Sequence, residues 1–182
     1  MKSIGKIIAA VQTDEDFEIA LKSNVKTIFF LSGDIMELKY LAQKAHKHEK
    51  KLFIHLDLTT GLGKDKSGIE FAKLAGIDGI LSTRANLIKA ARECGLDTVQ
   101  RFFIVDSHSI DTTIESLKAS KSDMIEVMPG VAPKIIKRLK SRMDATIIVG
   151  GLIDEMDEVK IALESGACAI STSSKELWDE QI

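Results

Sequence analysis

The chain has 182 residues, of which 45% are apolar and 29% are charged, and its formal net charge is −2 at pH 7. This balance is typical of a soluble globular protein and excludes a disordered chain, and the charge excludes a global basic field for nucleic acid. Because there are two cysteines, no signal sequence and no long apolar run, we expect a cytoplasmic protein with reduced thiols and no membrane span.

Eight short apolar runs recur along the chain and predict eight β-strands. They cover residues 7–11, 27–31, 52–58, 79–82, 98–105, 124–128, 146–149 and 169–172. Each gap between two runs has room for one helix and two short loops. Strands that alternate with helices in this way are expected to be parallel and joined by helical crossovers.

Local signals predict helices in these gaps. Residues suited to helix starts are Thr13, Asp34, Ser67, Ser107 or Ser109, and Pro133, which open helices running to residues 24, 48, 76, 120 and 142. A further helical stretch covers residues 154–165, between the last two strands. Three glycines directly follow helical stretches and are predicted to form left-handed C-terminal caps, namely Gly76, Gly95 and Gly166.

Eight strand-helix units favour a compact (β/α)8 TIM barrel that forms a single domain over residues 1–182. Such barrels usually need at least about 200 residues, so every loop and helix here must be close to minimal in length. The alternative is an open, doubly wound sheet. Nothing in the sequence marks a point at which its strand order would reverse, and we therefore favour the barrel.

The last two strands predict a phosphate site. Both end in small residues, and the set that would surround the anion is Gly150, Gly151, Ser171, Thr172, Ser173 and Ser174. Glycines let backbone N–H groups approach an anion closely, and the start of the next helix would add further donors. The loops after strands 7 and 8 are the usual phosphate site of this barrel. Tight turns with a serine cap are the alternative interpretation, and Lys175 either assists the site or is merely solvated.

Four polar residues lie in or directly after predicted strands and are candidates for binding the rest of a ligand. They are His55, Asp57, Arg101 and Glu126. The strand predicted over residues 52–58 would place His55 and Asp57 on one face. Asp57 and Glu126 would accept hydrogen bonds from ligand hydroxyls, with Arg101 balancing their charge; internal ion pairs within the barrel are the alternative.

Other chemistry at this rim has weaker support. A metal site built from His55, Asp57, Asp106 or His108 lacks the close ligand spacing of known sites. Ser107 and His108 are neighbours, but no nucleophile elbow surrounds them, and capping of the next helix explains Asp106 and Ser107.

Two basic runs are candidates for contact with RNA or for solvated helix faces. The first contains Lys134, Lys137, Arg138, Lys140 and Arg142, without an acid among them. The second contains Lys39, Lys44, Lys47, Lys50 and Lys51, together with His46 and His48.

The chain resembles the glycerol-3-phosphate-responsive antiterminator family of bacteria over nearly its whole length. The blocks that carry the resemblance are HLDL at 55–58, DGILST at 78–83, QRF at 100–102, EVMPG at 126–130, GGLI at 150–153 and GACAISTS at 166–173. The resemblance implies a barrel-shaped regulator that senses glycerol 3-phosphate and acts on the leader RNA of glycerol-utilisation operons. It implies no catalytic residues, no metal and no cofactor, and it allows a homo-oligomer.

Three hypotheses follow from these observations. The first is an antiterminator whose effector phosphate lies at residues 150–151 and 171–174. The second is an isomerase or lyase that uses Asp57 and Glu126 as acid and base on a phosphorylated metabolite. The third is a metal-dependent phosphodiesterase that uses the same rim.

Overall fold

The computed structural model describes residues 4–180 and residue 182. Within these residues, strands alternate with α-helices in the order β1 Ile7–Val11, α1 Asp14–Lys22, β2 Thr27–Phe30, α2 Leu38–Lys47, β3 Lys51–His55, α3 Lys66–Leu74, β4 Gly79–Ser82, α4 Ala85–Glu93, β5 Asp97–Phe103, α5 Ser107–Ser120, β6 Met124–Met128, α6 Pro133–Lys140, β7 Thr146–Gly150, α7 Met156–Glu164 and β8 Ala169–Thr172. A short 3-10 helix, Lys175–Asp179, follows β8. None of the described helices is long and apolar enough to cross a membrane.

The eight strands form a closed parallel barrel in sequential order. The ring closes between the first and last strands, where Ile7 is the partner of Ile170. This closure confirms the predicted (β/α)8 barrel and excludes the open sheet, in which β1 and β8 would not pair.

The strands are buried on both faces, as expected for a parallel sheet covered by helices. One cluster of apolar side chains fills the interior of the barrel and includes Phe53, Val99 and Met124. The larger cluster lies between the strands and the helices and includes Leu52 and Ile54. Successive residues of β3 thus alternate between the two cores.

Two strands end two or more residues earlier than the sequence predicts, and β2 ends one residue earlier. β3 ends at His55, and a turn begins at the next residue, so Asp57 does not share a strand face with His55. Leu58, the last residue of the predicted strand, is 56% exposed in that turn. β5 ends at Phe103, and Val105 is 84% exposed. In β3 and β5, apolar residues continue beyond the last residue that pairs with a neighbouring strand. Apolar character alone therefore does not mark the end of a strand.

The helix caps are partly as predicted. Thr13 accepts a hydrogen bond from Asp16 N, and Asp106 accepts one from Ser109 N, so both residues cap their helices. Asp65, and not Ser67, caps α3 by accepting from Gly68 N.

The predicted start of α2 at Asp34 is wrong. That carboxylate accepts a hydrogen bond from Met36 N in a turn, and the helix begins after Glu37. The three glycines predicted at helix ends all have positive φ, namely Gly76, Gly95 and Gly166.

The 3-10 helix takes the place of an eighth α-helix. Its Trp178 is buried and donates from Nε1 to Thr172 O at 2.9 Å, which ties the chain end to β8. One large aromatic side chain thus covers surface that a full helix would otherwise cover, which helps a barrel of this length to close.

Candidate functional site

The carboxyl ends of five strands place polar or small residues in one mouth of the barrel. His55, Arg101, Glu126, Gly150 and Ser171 each stand two positions after an inward-facing apolar residue. Because side chains alternate along a strand, all five positions face the same interior. The ring of strands therefore brings together residues that are more than 100 positions apart in sequence, as 55 and 171 are.

Glu126 is the centre of this mouth and is fully buried. Arg101 Nε donates to Glu126 Oε2 at 2.5 Å, and Ser171 Oγ donates to Glu126 Oε1. A buried carboxylate is stable only when its charge is paired and its oxygens accept hydrogen bonds. Arg101 and Glu126 thus form an internal ion pair, which was the alternative to a ligand site in the sequence-based prediction.

Gly150 lies directly beside this network because it is the β-partner of Ser171. A Cβ at position 150 would stand 2.2 Å from Ser171 Oγ and 2.9 Å from Glu126 Oε1. Any larger residue would therefore displace the hydroxyl or the carboxylate. The predicted adjacency of residues 150 and 171 is confirmed.

The loop after β7 has an unusual backbone. Gly151 has φ +75°, and a Cβ there would stand 2.8 Å from Met128 Cε. Leu152 also has a positive φ, +61°, although it is not glycine, and its side chain is 70% exposed. Left-handed non-glycine residues are uncommon and cluster at functional sites.

A cavity of about 130 Å³ opens between this loop and the barrel mouth. Its lining residues come from six strand ends and are Ala10, Gln12, Leu31, Arg101, Glu126, Met128, Gly151, Leu152, Ile153, Asp154, Ser171, Thr172 and Ser173. Among the described residues, the backbone N–H groups of Gly151, Leu152 and Ser173 meet no acceptor. Free amides beside an arginine are groups that bind a small anion.

The hydroxyl-rich turn divides into two groups. Ser171, Thr172 and Ser173 all line the cavity, but the Thr172 hydroxyl is engaged within the fold, because its Oγ1 donates to Ile153 O at 2.7 Å and accepts from Ser174 N at 3.0 Å. Thr172 and Ser174 therefore fix the loop. Lys175 is paired with Asp16 at 2.6 Å and is not directed at the cavity.

The helix ends contribute less than the sequence suggested. At the start of α7, Glu158 Oε2 accepts from the backbone N–H groups of Asp154 and Glu155, which completes a capping box. These N–H groups are already engaged. The donors near the cavity are those of the loop itself.

Asp57 binds to protein groups outside this cavity. Its Oδ2 accepts from Ser82 Oγ at 2.7 Å and from Thr83 N at 3.0 Å. Arg84 Nε lies 3.0 Å from Oδ1 and forms an ion pair that lacks hydrogen-bond geometry. Asp57 therefore holds the turn between β4 and α4.

His55 lies between the two groups. Its Nδ1 is 3.8 Å from Asp57 Oδ2, is buried, and has no hydrogen-bond partner in the described part of the chain. Burial, and to a lesser extent the Arg101 guanidinium, lowers the pKa of His55. The neutral ring is therefore favoured, and it offers one donor and one acceptor nitrogen.

The residues considered for metal binding do not gather in one place. Asp106 is engaged as the cap of α5, away from the His55–Asp57 pair. Within residues 4–180 and 182, no group of three His, Cys, Asp or Glu side chains is placed to hold a metal ion.

The first basic run is spread over several faces of the barrel wall. Lys134 and Arg138 line a groove between α5 and α6, and Arg142 Nη1 is paired with Asp111 at 2.6 Å. Lys140 lies against the turn at Gly166, at the opposite end of the barrel. Lys137 is exposed and does not line the groove.

Much of the second basic run is used within the fold. Lys44 is paired with Glu18, and Lys51 with Asp97. Lys50 is buried and donates to two backbone carbonyls, and burial lowers its pKa.

The sequence analysis missed several residues of the cavity. Ala10, Leu31 and Met128 line it from β1, the end of β2 and β6. All three are apolar and carry no chemical signal. Their positions at strand ends were the one feature that could have identified them.

Comparison with known proteins agrees with this arrangement. A family model described as glycerol-3-phosphate responsive antiterminator matches residues 7–178. The uncharacterized protein YgcP of Escherichia coli (strain K12) is 34% identical over 173 residues, which cover 94% of this chain and 91% of that protein.

Two solved structures are also similar. The glycerol uptake operon antiterminator regulatory protein of Listeria monocytogenes is 31% identical with a TM-score of 0.92, covering 99% of this chain and 98% of that one. A glycerol uptake operon antiterminator-related protein of Thermotoga maritima is 31% identical with a TM-score of 0.87, covering 98% and 100%. The chain thus belongs to the glycerol-3-phosphate responsive antiterminator family.

Proposed function

We propose that this protein is a transcription antiterminator that binds glycerol 3-phosphate in the barrel mouth and acts on leader RNA. Its family supports the regulatory role. The observation that carries the ligand proposal is the convergence of Glu126, Gly151 and Ser171 on one cavity beside free backbone amides, with Gly150 packed against the Glu126–Ser171 pair.

The two ends of the ligand match two parts of the cavity. The phosphate would accept hydrogen bonds from the N–H groups of Gly151, Leu152 and Ser173, which are otherwise unengaged in the described chain. The glycerol hydroxyls would donate hydrogen bonds to the Glu126 carboxylate and accept them from the Arg101 guanidinium. A cavity of about 130 Å³ suits a small metabolite and is far below the size of drug-sized ligand pockets.

The other two predicted ligand residues have different parts in this proposal. His55 has a pKa lowered by burial and a buried Nδ1 without a hydrogen-bond partner in the described chain, and this nitrogen is available to a hydroxyl that reaches the centre of the mouth. Asp57 would act indirectly, by fixing the turn that contains Ser82 and Thr83.

Sensing requires that the ligand bind two states of the protein with different affinities. The loop of residues 151–153 is the candidate switch because it combines left-handed backbone with free amides. A phosphate that engages these amides would stabilise one loop conformation over the other. The protein would use glycerol 3-phosphate as an effector and need no further cofactor.

The enzyme alternative has no specific observation in its favour. Glu126 and Asp57, which would be the acid and the base, are held by separate partners, and Asp57 does not line the cavity.

Isothermal titration calorimetry with glycerol 3-phosphate tests the site. We expect Ser173→Asp to weaken binding at least about tenfold, because the new carboxylate would stand beside the ligand phosphate. Ser173 is exposed, so the substitution should not disturb folding.

Ser141→Asp is the matched control. Ser141 is an equally exposed serine that follows α6, at the opposite end of the barrel. Binding of glycerol 3-phosphate with equal affinity by wild type and the Ser173→Asp variant would refute the proposed phosphate position.

A further inference from the structure

A groove between α5 and α6 opens on the same rim as the effector cavity. It has a volume of about 260 Å³, and its lining includes Val105, Ile110, Lys134, Ile135 and Arg138. Val105 is 84% exposed. The groove thus combines apolar surface with two cations and one carboxylate, that of Asp106.

Phe103 is an exposed apolar residue on the strand that leads into the groove. It is the last residue of β5, two positions before Val105, and its side chain is 58% exposed. Exposed apolar surface of this kind marks interaction sites.

The cations of the groove are not neutralised locally. Lys134 and Arg138 are one helical turn apart on α6, and neither lies within 4 Å of a carboxylate in the described residues. The nearby Asp106 is engaged by Ser109 N and Oγ, and Asp111 is paired with Arg142. Two cations on one face therefore remain available to phosphate groups.

We propose that this α5–α6 groove binds single-stranded RNA. Lys134 and Arg138 contact successive phosphates, and an unstacked base lies against Phe103 and Val105. Aromatic side chains beside basic residues are how proteins bind single strands. This inference rests on the proposed function, from which it takes RNA as the partner.

A second copy of the chain fits the groove less well. In a two-fold symmetric contact each patch meets itself, so Lys134 and Arg138 would approach the same two cations of the other copy. The repulsion would oppose the contact, whereas a polyanion would neutralise the charge.

The position of Phe103 connects the groove with the effector cavity. Arg101, which holds Glu126, lies two residues before Phe103 on the same face of β5. A ligand that moves Arg101 therefore acts on the strand that carries the base contact.

The test is fluorescence anisotropy of the labelled leader transcript of a glycerol-utilisation operon, at several salt concentrations and with saturating glycerol 3-phosphate. Lys134→Glu/Arg138→Glu should weaken binding and lower the slope of log K against log salt by about 1.4, or about 0.7 per lost phosphate contact. Lys137→Glu/Lys140→Glu makes the same charge change on the same helix but outside the groove. Its salt slope should be steeper than that of the groove variant and closer to that of wild type.

The base contact is tested with a second pair of variants. Phe103→Ala should weaken binding about fivefold or more. Phe71→Ala removes an exposed phenylalanine from α3 and should have no effect.

Each outcome separates the two proposals. Binding of the transcript by wild type with an unchanged affinity and salt slope in the groove variants would overturn the groove and leave the antiterminator proposal standing. Absence of wild-type binding, with and without glycerol 3-phosphate, would overturn both. If wild type sediments as a dimer and the groove variants sediment as monomers with unchanged RNA affinity, the α5–α6 groove is a contact between copies of the chain and not an RNA site.

Discussion

At the scale of single residues, the barrel mouth is organised by one buried carboxylate. Glu126 accepts from Arg101, which lies on the neighbouring strand β5, and from Ser171, which lies on β8, two strands away on the other side. A buried ion pair adds little net stability compared with an apolar core, but removal of one partner leaves a buried charge unpaired.

Arg101→Met should lower the free energy of unfolding by about 3–5 kcal/mol, because Glu126 would remain buried without its cation. Urea denaturation at pH 7 measures the loss. The double variant Arg101→Met/Glu126→Leu should recover much of it, since neither charge is then buried. A single variant as stable as wild type would show that the carboxylate is hydrated or protonated and not ion-paired.

At the scale of elements, helix starts depend on which side chain reaches the first free N–H groups. Asp65 and Ser67 are both suitable cap residues, and only Asp65 has the extended backbone that directs its carboxylate to Gly68 N. The loop geometry before α3 decides between them.

Asp65→Ala should destabilise the protein by about 1 kcal/mol through loss of the cap, whereas Ser67→Ala should change stability by a few tenths at most. Thermal or urea unfolding of the two variants provides the comparison. Equal losses would show that the serine also serves the helix start.

At the scale of the whole molecule, stability depends on ring closure. β8 pairs with both β7 and β1, and Trp178 holds the chain end against β8. Removal of any strand would open the ring and expose both cores. The barrel should therefore unfold as one cooperative unit.

The single tryptophan makes this testable. Unfolding followed by Trp178 fluorescence, which reports the end of the chain, should give the same midpoint as far-UV circular dichroism, which reports all the helices. A fluorescence transition at lower denaturant would show that the β8 segment separates before the rest of the barrel.

The sequence by itself determined the repeating strand-helix order, and with it the parallel barrel and the rim to which the functional residues belong. Those features follow from local apolar periodicity and turn residues, which act over a few positions. It also placed Gly150 and Ser171 together, because both end adjacent strands of a sequential barrel.

Only the tertiary structure decided which polar groups remain available to a ligand. Asp57 and Glu126 are similar in sequence context, yet one is engaged by the β4–α4 turn and the other lines the cavity. Likewise, the basic run of α6 is continuous in sequence, but Arg142 is paired with Asp111 and only Lys134 and Arg138 line the groove. Hydrogen bonds and ion pairs between residues far apart in sequence depend on distances that are set only when the chain folds. Local sequence patterns therefore cannot predict these contacts.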